Sequence, residues 1–154
     1  MVDTLSKSER SVRMSLIRGR DTKPELRLRQ RLHALGYRFR VNVPELPGKP
    51  DLVLPKYKTI IFVHGCFWHG HANCKVANSP KSNTKFWIEK FRQNRLRDRR
   101  NSRKLRALGW RVLIVWECGL NSRAQLDRTV ARIDSRLQAR GDGSEGLLAE
   151  VRRR

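Results

Sequence analysis

Residues 63–74, VHGCFWHGHANC, hold three of the four histidines and two of the three cysteines in the chain. Cys66, His71 and Cys74 are spaced C-x4-H-x2-C, which lets three side chains close around one ion. Cys118 follows the apolar run 110–116, expected to be a strand, and is placed to arrive as a fourth ligand. Three cysteines and one histidine are the stoichiometry of a closed, redox-inert structural zinc site. The bland reading is three free or buried thiols beside an incidental histidine. An odd cysteine count argues against a disulfide framework. The zinc set leaves His64 and His69 unclaimed, and histidine is the usual proton-transfer residue near neutral pH. Asp51, after Pro50 and at the head of an apolar run, puts a carboxylate at the end of a sheet. Its expected neighbour is the strand closing at Val63 and His64, and a carboxylate beside a backbone carbonyl makes an oxygen-rich corner suited to Mg²⁺. Together these groups could activate water against a phosphodiester. Taken singly, Asp51 reads as a loop end and His64 as a core histidine. Glu25 is open to two readings as well: capping-box partner of Thr22, or a second inward carboxylate on the helix face of Leu28 and Leu32.

The partner is indicated by charge. The 154 residues carry 35 Lys+Arg against 14 Asp+Glu, a formal net charge of +21. Residues 81–111 alone have 12 basic and 2 acidic side chains. Such an excess points to a polyanion, most simply nucleic acid. In this basic run Lys90 and Asn94, one helical turn apart, are candidates for base edges, and Arg97 and Arg100 for phosphates. Two aromatic pairs, Phe67-Trp68 and Phe86-Trp87, could pack inward or wedge between bases. No apolar run of transmembrane length and no apolar leader is visible, so a cytoplasmic location is expected.

These groups must be positioned by a short list of elements. Thr4 or Ser6 caps a first helix to about residue 18. Asp21–Glu25 opens a second helix with the stripe Leu28, Leu32, Leu35, ended by Gly36. Strands are expected at 37–43, 51–54, 59–64 and 110–116. A long basic helix runs over 85–108 behind Thr84, an amphipathic helix over 122–139, and residues 65–83 are irregular. The order ααβββαβα makes a single α/β domain over 1–140, a small mixed sheet flanked by helices. Residues 141–154 read as a flexible basic tail.

The segments PGKPDLVLPKYKTIIFVHGCFWHGHANC, TKFWIEK, RDRR and LGWRVLIVWEC resemble the very-short-patch-repair (Vsr) DNA mismatch endonucleases of bacteria, from about residue 13 to 120. The resemblance implies a fold related to type II restriction endonucleases. It implies Mg²⁺-dependent nicking of one strand 5′ to the T of a T:G mismatch, the product of 5-methylcytosine deamination. By the same likeness Asp51 is the principal Mg²⁺ ligand and the Val63 carbonyl a second. His69 becomes the general base, and His64 and Glu25 support it, with one or two Mg²⁺ ions. Cys66, His71, Cys74 and Cys118 map onto a structural Zn²⁺ site. Phe67, Trp68 and Trp87 map onto a wedge entering from the major groove, and Met14 and Ile17, in a DNA-contacting helix within residues 1–20, enter from the minor groove. The implied partner is mismatched double-stranded DNA bound by a monomer near the nucleoid, with mismatch-repair proteins as further partners. Asn121 stands where a base-reading Arg is expected, and the loop from His71 to Trp87 differs in composition from the family pattern, which leaves the flanking sequence preference open. The alternatives are a related nuclease cutting another lesion or a fixed site, and a non-catalytic zinc-stabilised DNA-binding module.

Overall fold

The computed structural model describes residues 6–17, 19–78 and 80–139; the expected tail at 141–154 and Thr4 lie outside them. Helix α1 (Lys7–Ser15) starts at Ser6, whose hydroxyl accepts from the Glu9 N–H while the Glu9 carboxylate accepts from the Ser6 N–H. This reciprocal pair satisfies two of the donors a helix leaves open at its start. Val12, Met14, Leu16 and Ile17 nevertheless stay exposed.

Helix α2 (Lys23–Ala34) begins with Pro24 in its first turn, but the expected Thr22–Glu25 capping box is not formed. Asp21 is left-handed, with φ 54°, and its N–H reaches the Glu25 carboxylate; the Thr22 hydroxyl also donates to that carboxylate rather than accepting from the helix. Leu28 and Leu32 are fully buried. Leu35, expected on the same stripe, is exposed because the helix stops one residue earlier and Gly36 turns the chain away at φ 91°.

The expected strand at 37–43 is not a strand. Only Arg40 pairs, through two hydrogen bonds of 2.8 Å with Val53. Asn42 is left-handed at φ 48° and Pro44 follows with no N–H, so a ladder cannot continue. Tyr37 and Val43 still face the core.

Three strands remain: β1 (Leu52–Leu54), β2 (Thr59–His64) and β3 (Arg111–Trp116). β1 and β2 are antiparallel across the turn Pro55–Tyr57, and β2 and β3 are parallel, with helix α3 (Thr84–Ala107) in the crossover. The order β1-β2-β3 is a small mixed sheet. Alternation divides it into two faces. Leu52, Leu54, Ile61, Leu113 and Val115 pack on α2 and on helix α4 (Arg123–Gln138), while Val53, Ile60 and Val112 pack on Leu105 of α3. α4 has its own capping box, Ser122 with Gln125. The start of β1, the end of β2 and the end of β3 all lie at one end of the sheet. No helix is long and apolar enough to cross a membrane among the described residues.

Candidate active site and metal centre

Antiparallel pairing places Asp51, one residue before β1, beside the last residues of β2. The Val63 N–H donates to Asp51 Oδ2 at 2.7 Å, which fixes the carboxylate and leaves Oδ1 for another partner. Burial pushes the Asp51 carboxyl up to about 6, against the Val63 hydrogen bond, and the nearby Glu25 charge adds to the rise. A carboxylate in this state gains by meeting a cation.

Asp51 shares a cleft of about 700 Å³ with Glu25, Val63, His64 and His69. All four catalytic candidates therefore meet, although they come from α2, the residue before β1, the end of β2 and the loop after it. The His64 and His69 rings stack at 3.8 Å, and His64 also meets the edge of Trp116. Burial, with the His69 charge assisting, pushes His64 down to about 4. His69 Nδ1 lies 2.6 Å from Asp98 Oδ2. With Nδ1–H donating to Asp98, Nε2 carries the lone pair and can accept a proton from water. Burial raises Asp98, but the hydrogen bond and charge of His69, with His64 and Arg97, outweigh it and hold Asp98 below the ordinary carboxylate range.

Glu25 is 3% exposed and receives three donors: the Asp21 N–H, the Thr22 hydroxyl and Arg29 Nη2. Sequence reading missed Asp98, Arg29 and Glu117, whose carboxylate accepts from the Cys66 N–H at 3.2 Å. Asp98 carried one signal, as one of two acids in the basic run; only the packing of α3 against the loop pairs it with His69.

Cys66, His71, Cys74 and Cys118 present one ligand atom each, all within 4.8 Å of one another. Cys118 Sγ to His71 Nδ1 is 3.6 Å. Tetrahedral zinc with sulfur at about 2.3 Å and nitrogen at about 2.05 Å requires an S···N edge of about 3.6 Å, so the donor set fits that ion. Burial pushes the Cys66 thiol up to about 12, and a thiolate there needs a cation beside it. The cysteines are unpaired by disulfides. Cys118 arrives on the 3₁₀ turn Glu117–Leu120 directly after β3. The His71 ring stacks on Trp116 at 4.0 Å, joining this cluster to the cleft wall.

Phe67, Trp68 and Trp87 form one ring cluster with Phe91, at centroid separations of 5.0–6.1 Å, and are half-buried. The exposed aromatic among the described residues is instead Phe86, 61% exposed with its ring edge-on to Trp87. Met14 and Ile17 are exposed on and after α1, and Ile17 lines the cleft. Lys90, Arg97 and Arg100 are exposed along α3. Asn94 is not with them: it is buried and donates from Nδ2 to the Trp68 carbonyl at 2.7 Å. The side chain expected at a base edge holds the aromatic loop to α3 in this structure.

A buried carboxylate and an aspartate-paired histidine share one cleft of a strongly basic molecule, an arrangement suited to a nuclease, a hydrolase of phosphodiesters. The family model for DNA mismatch endonuclease Vsr matches residues 2–75. The chain is 48% identical over 126 residues to the DNA mismatch endonuclease Vsr of Escherichia coli K12, covering 82% of this chain and 80% of that one. It is 44% identical over 133 residues to the type II nicking enzyme V.XorIIP of Xanthomonas oryzae pv. oryzae, covering 86% and 97%. To V.NmeAIP, a type II nicking enzyme of Neisseria meningitidis serogroup A, it is 45% identical over 137 residues, with the same coverage. The chain belongs to the Vsr DNA mismatch endonuclease family and is a DNA-nicking endonuclease.

Proposed function

We propose that this enzyme nicks the T strand of a T:G mismatch on its 5′ side, and that Asp51, His69 and Asp98 carry the hydrolysis. The observation that supports it most is the juxtaposition of the His69–Asp98 pair with Asp51 in one cleft next to the aromatic cluster. Asp51 and the Val63 carbonyl would hold Mg²⁺, which supplies charge stabilisation for the phosphate and the leaving oxygen. Hard oxygen donors at this corner suit that ion. His69, held by Asp98, takes the proton from the attacking water at Nε2. His64, stacked on His69 and kept neutral by burial, limits the motion of the base without adding a competing charge. Glu25 adds to the rise at Asp51, where burial is the larger cause.

The three-stranded mixed sheet with its carboxylate at one end supports a restriction-endonuclease-like ancestry. Cys66, His71, Cys74 and Cys118 would hold Zn²⁺ as a structural ion. The loop they fix carries Phe67, Trp68 and His69, so one closed cluster positions both the aromatic surface and the base. A wobble pair lowers the cost of unstacking, a few kcal/mol per step, which favours insertion at the mismatch.

The test is incubation with Mg²⁺ and end-labelled duplexes carrying T:G, C:G or T:A at one position. A nick confined to the T strand of T:G is expected. Equal cutting of matched duplexes would replace this reading with that of a site-specific nuclease, and unchanged nicking by Asp51→Ala would overturn the site assignment.

A further inference from the structure

The wall of the cleft holds more carboxylates than cations, though Glu25 is paired with Arg29 behind it. In a chain of +21, four carboxylates line it (Glu25, Asp51, Asp98 and Glu117) against two cations, Lys49 and Arg97. Arg97 lies 3.3 Å from Asp98, so its charge is shared with a carboxylate. Lys49 forms no ion pair among the described residues and stands two positions before Asp51.

The backbone at Lys49 is a second, independent observation. Six non-glycine residues are left-handed among the described residues, and four of them are Asn or Asp, which tolerate that region. Lys58 closes the tight β1–β2 connection. Lys49, with φ 50°, is neither. It is held from both sides. Its N–H donates to the Leu46 carbonyl at 3.1 Å, closing a turn through Pro47 and Gly48. Gly48 has φ 81°, where a side chain is strained, and a Cβ there would crowd Asn101 at 3.0 Å and Phe62 at 3.2 Å. Pro50, on the other side, is fully buried. A left-handed glycine turn and a buried proline thus flank an exposed, left-handed lysine that lines the cleft, and strain retained beside a reaction centre is a sign of use.

We propose that Lys49 is the cationic contact for a non-bridging phosphate oxygen of the cut strand, next to the phosphate attacked at Asp51. The assignment rests on the nicking reaction proposed above. The ammonium ion offsets the carboxylate wall when the DNA backbone enters, and gains strength as water leaves the cleft.

Lys49→Ala, Lys49→Arg and Lys49→Gly separate charge from conformation. Duplex binding is measured as a function of salt without added Mg²⁺ or chelator, nicking of a T:G duplex in single turnover with Mg²⁺, and stability by thermal unfolding. K49A and K49G are expected to nick about tenfold or more slowly and to lose about one unit from the slope of log K against log salt. K49R keeps both, and K49G melts no lower than the wild type because glycine relieves the left-handed strain. Wild-type nicking and an unchanged salt slope in K49A overturn the proposal. So does wild-type behaviour of K49G beside a defective K49A, since conformation alone would then suffice. If wild-type protein fails to nick T:G, the mismatch reading falls, and the salt slope on matched duplex still decides Lys49.

Discussion

The Cys66/His71/Cys74/Cys118 cluster and the Asp51/His64/His69/Asp98 cleft share one loop, yet they are built on opposite rules. The cluster uses every ligand on its neighbours: four donor atoms lie within 4.8 Å and face inward. The cleft leaves ligand positions open. Asp51 is fixed by one oxygen only, His69 by one nitrogen only, and about 700 Å³ of space adjoins them. A closed set stabilises the fold, and an open one can take substrate. The difference lets the loop be rigid where it carries chemistry and empty where chemistry happens.

The comparison can be broken at either end. Cys66→Ser is expected to have the largest effect, because it removes a fully buried ligand and leaves a polar atom in its place. The protein should lose its zinc, melt far lower, and lose nicking with it; zinc content, thermal unfolding and nicking measured on one preparation check this. Full activity in zinc-free protein would show that the cluster does not position the cleft. Asp51→Asn should reduce single-turnover nicking about 10³-fold while stability is kept, since the substitution removes charge and leaves the shape. A fall in melting temperature as large as that of Cys66→Ser would erase the distinction between the two regions.

Asp98→Asn sharpens the contrast within the cleft. The amide no longer selects the His69 tautomer, and a loss of roughly 10–100-fold in rate is expected without loss of DNA affinity. Asn94→Ala should cost about 1–3 kcal/mol, as it strands the Trp68 carbonyl, and should weaken discrimination between mismatched and matched duplexes. Denaturant unfolding and paired nicking rates measure the two effects.

The smallest effect lies outside both the cluster and the cleft. Burial, with the Asp134 hydrogen bond next, pushes the Tyr37 phenol up to about 12, whereas an unfolded tyrosine ionises near 10. The folded state holds its proton more tightly, so this stability is complete below about pH 10 and is lost as pH rises towards 12. Tyr37→Phe should remove that part of the alkaline decline, seen as a flatter unfolding midpoint between pH 10 and 12.

Much of this arrangement was legible in residue types. β2 falls on the apolar run 59–64, and α3 ends beside Gly109 as its sequence pattern implies. The spacing C-x4-H-x2-C with a later cysteine is geometrically restrictive, so few folds can use it otherwise. Periodicity misled where local backbone chemistry overrode it. Residues 37–43 alternate like a strand, but Asn42 and Pro44 prevent the ladder. Leu35 continues the helical stripe on paper, but lies past the last hydrogen-bonded turn. The aromatic pairs were visible, while which ring stays exposed was not: Phe67, Trp68 and Trp87 bury one another and leave Phe86 outside.

The sequence by itself determined the donor inventory, the +21 charge and a helix start that Ser6 can cap, because these depend on side-chain chemistry and neighbouring residues. Only the tertiary structure decided the pairings. Asp98 meets His69 across 29 positions, Glu117 reaches the Cys66 N–H across 51, and Asn94 turns from a surface contact into an anchor for Trp68. Such contacts arise when the parallel crossover lays α3 over the loop and returns β3 beside β2. One-dimensional spacing carries no record of that geometry, since the packing of two faces fixes it only after both have formed.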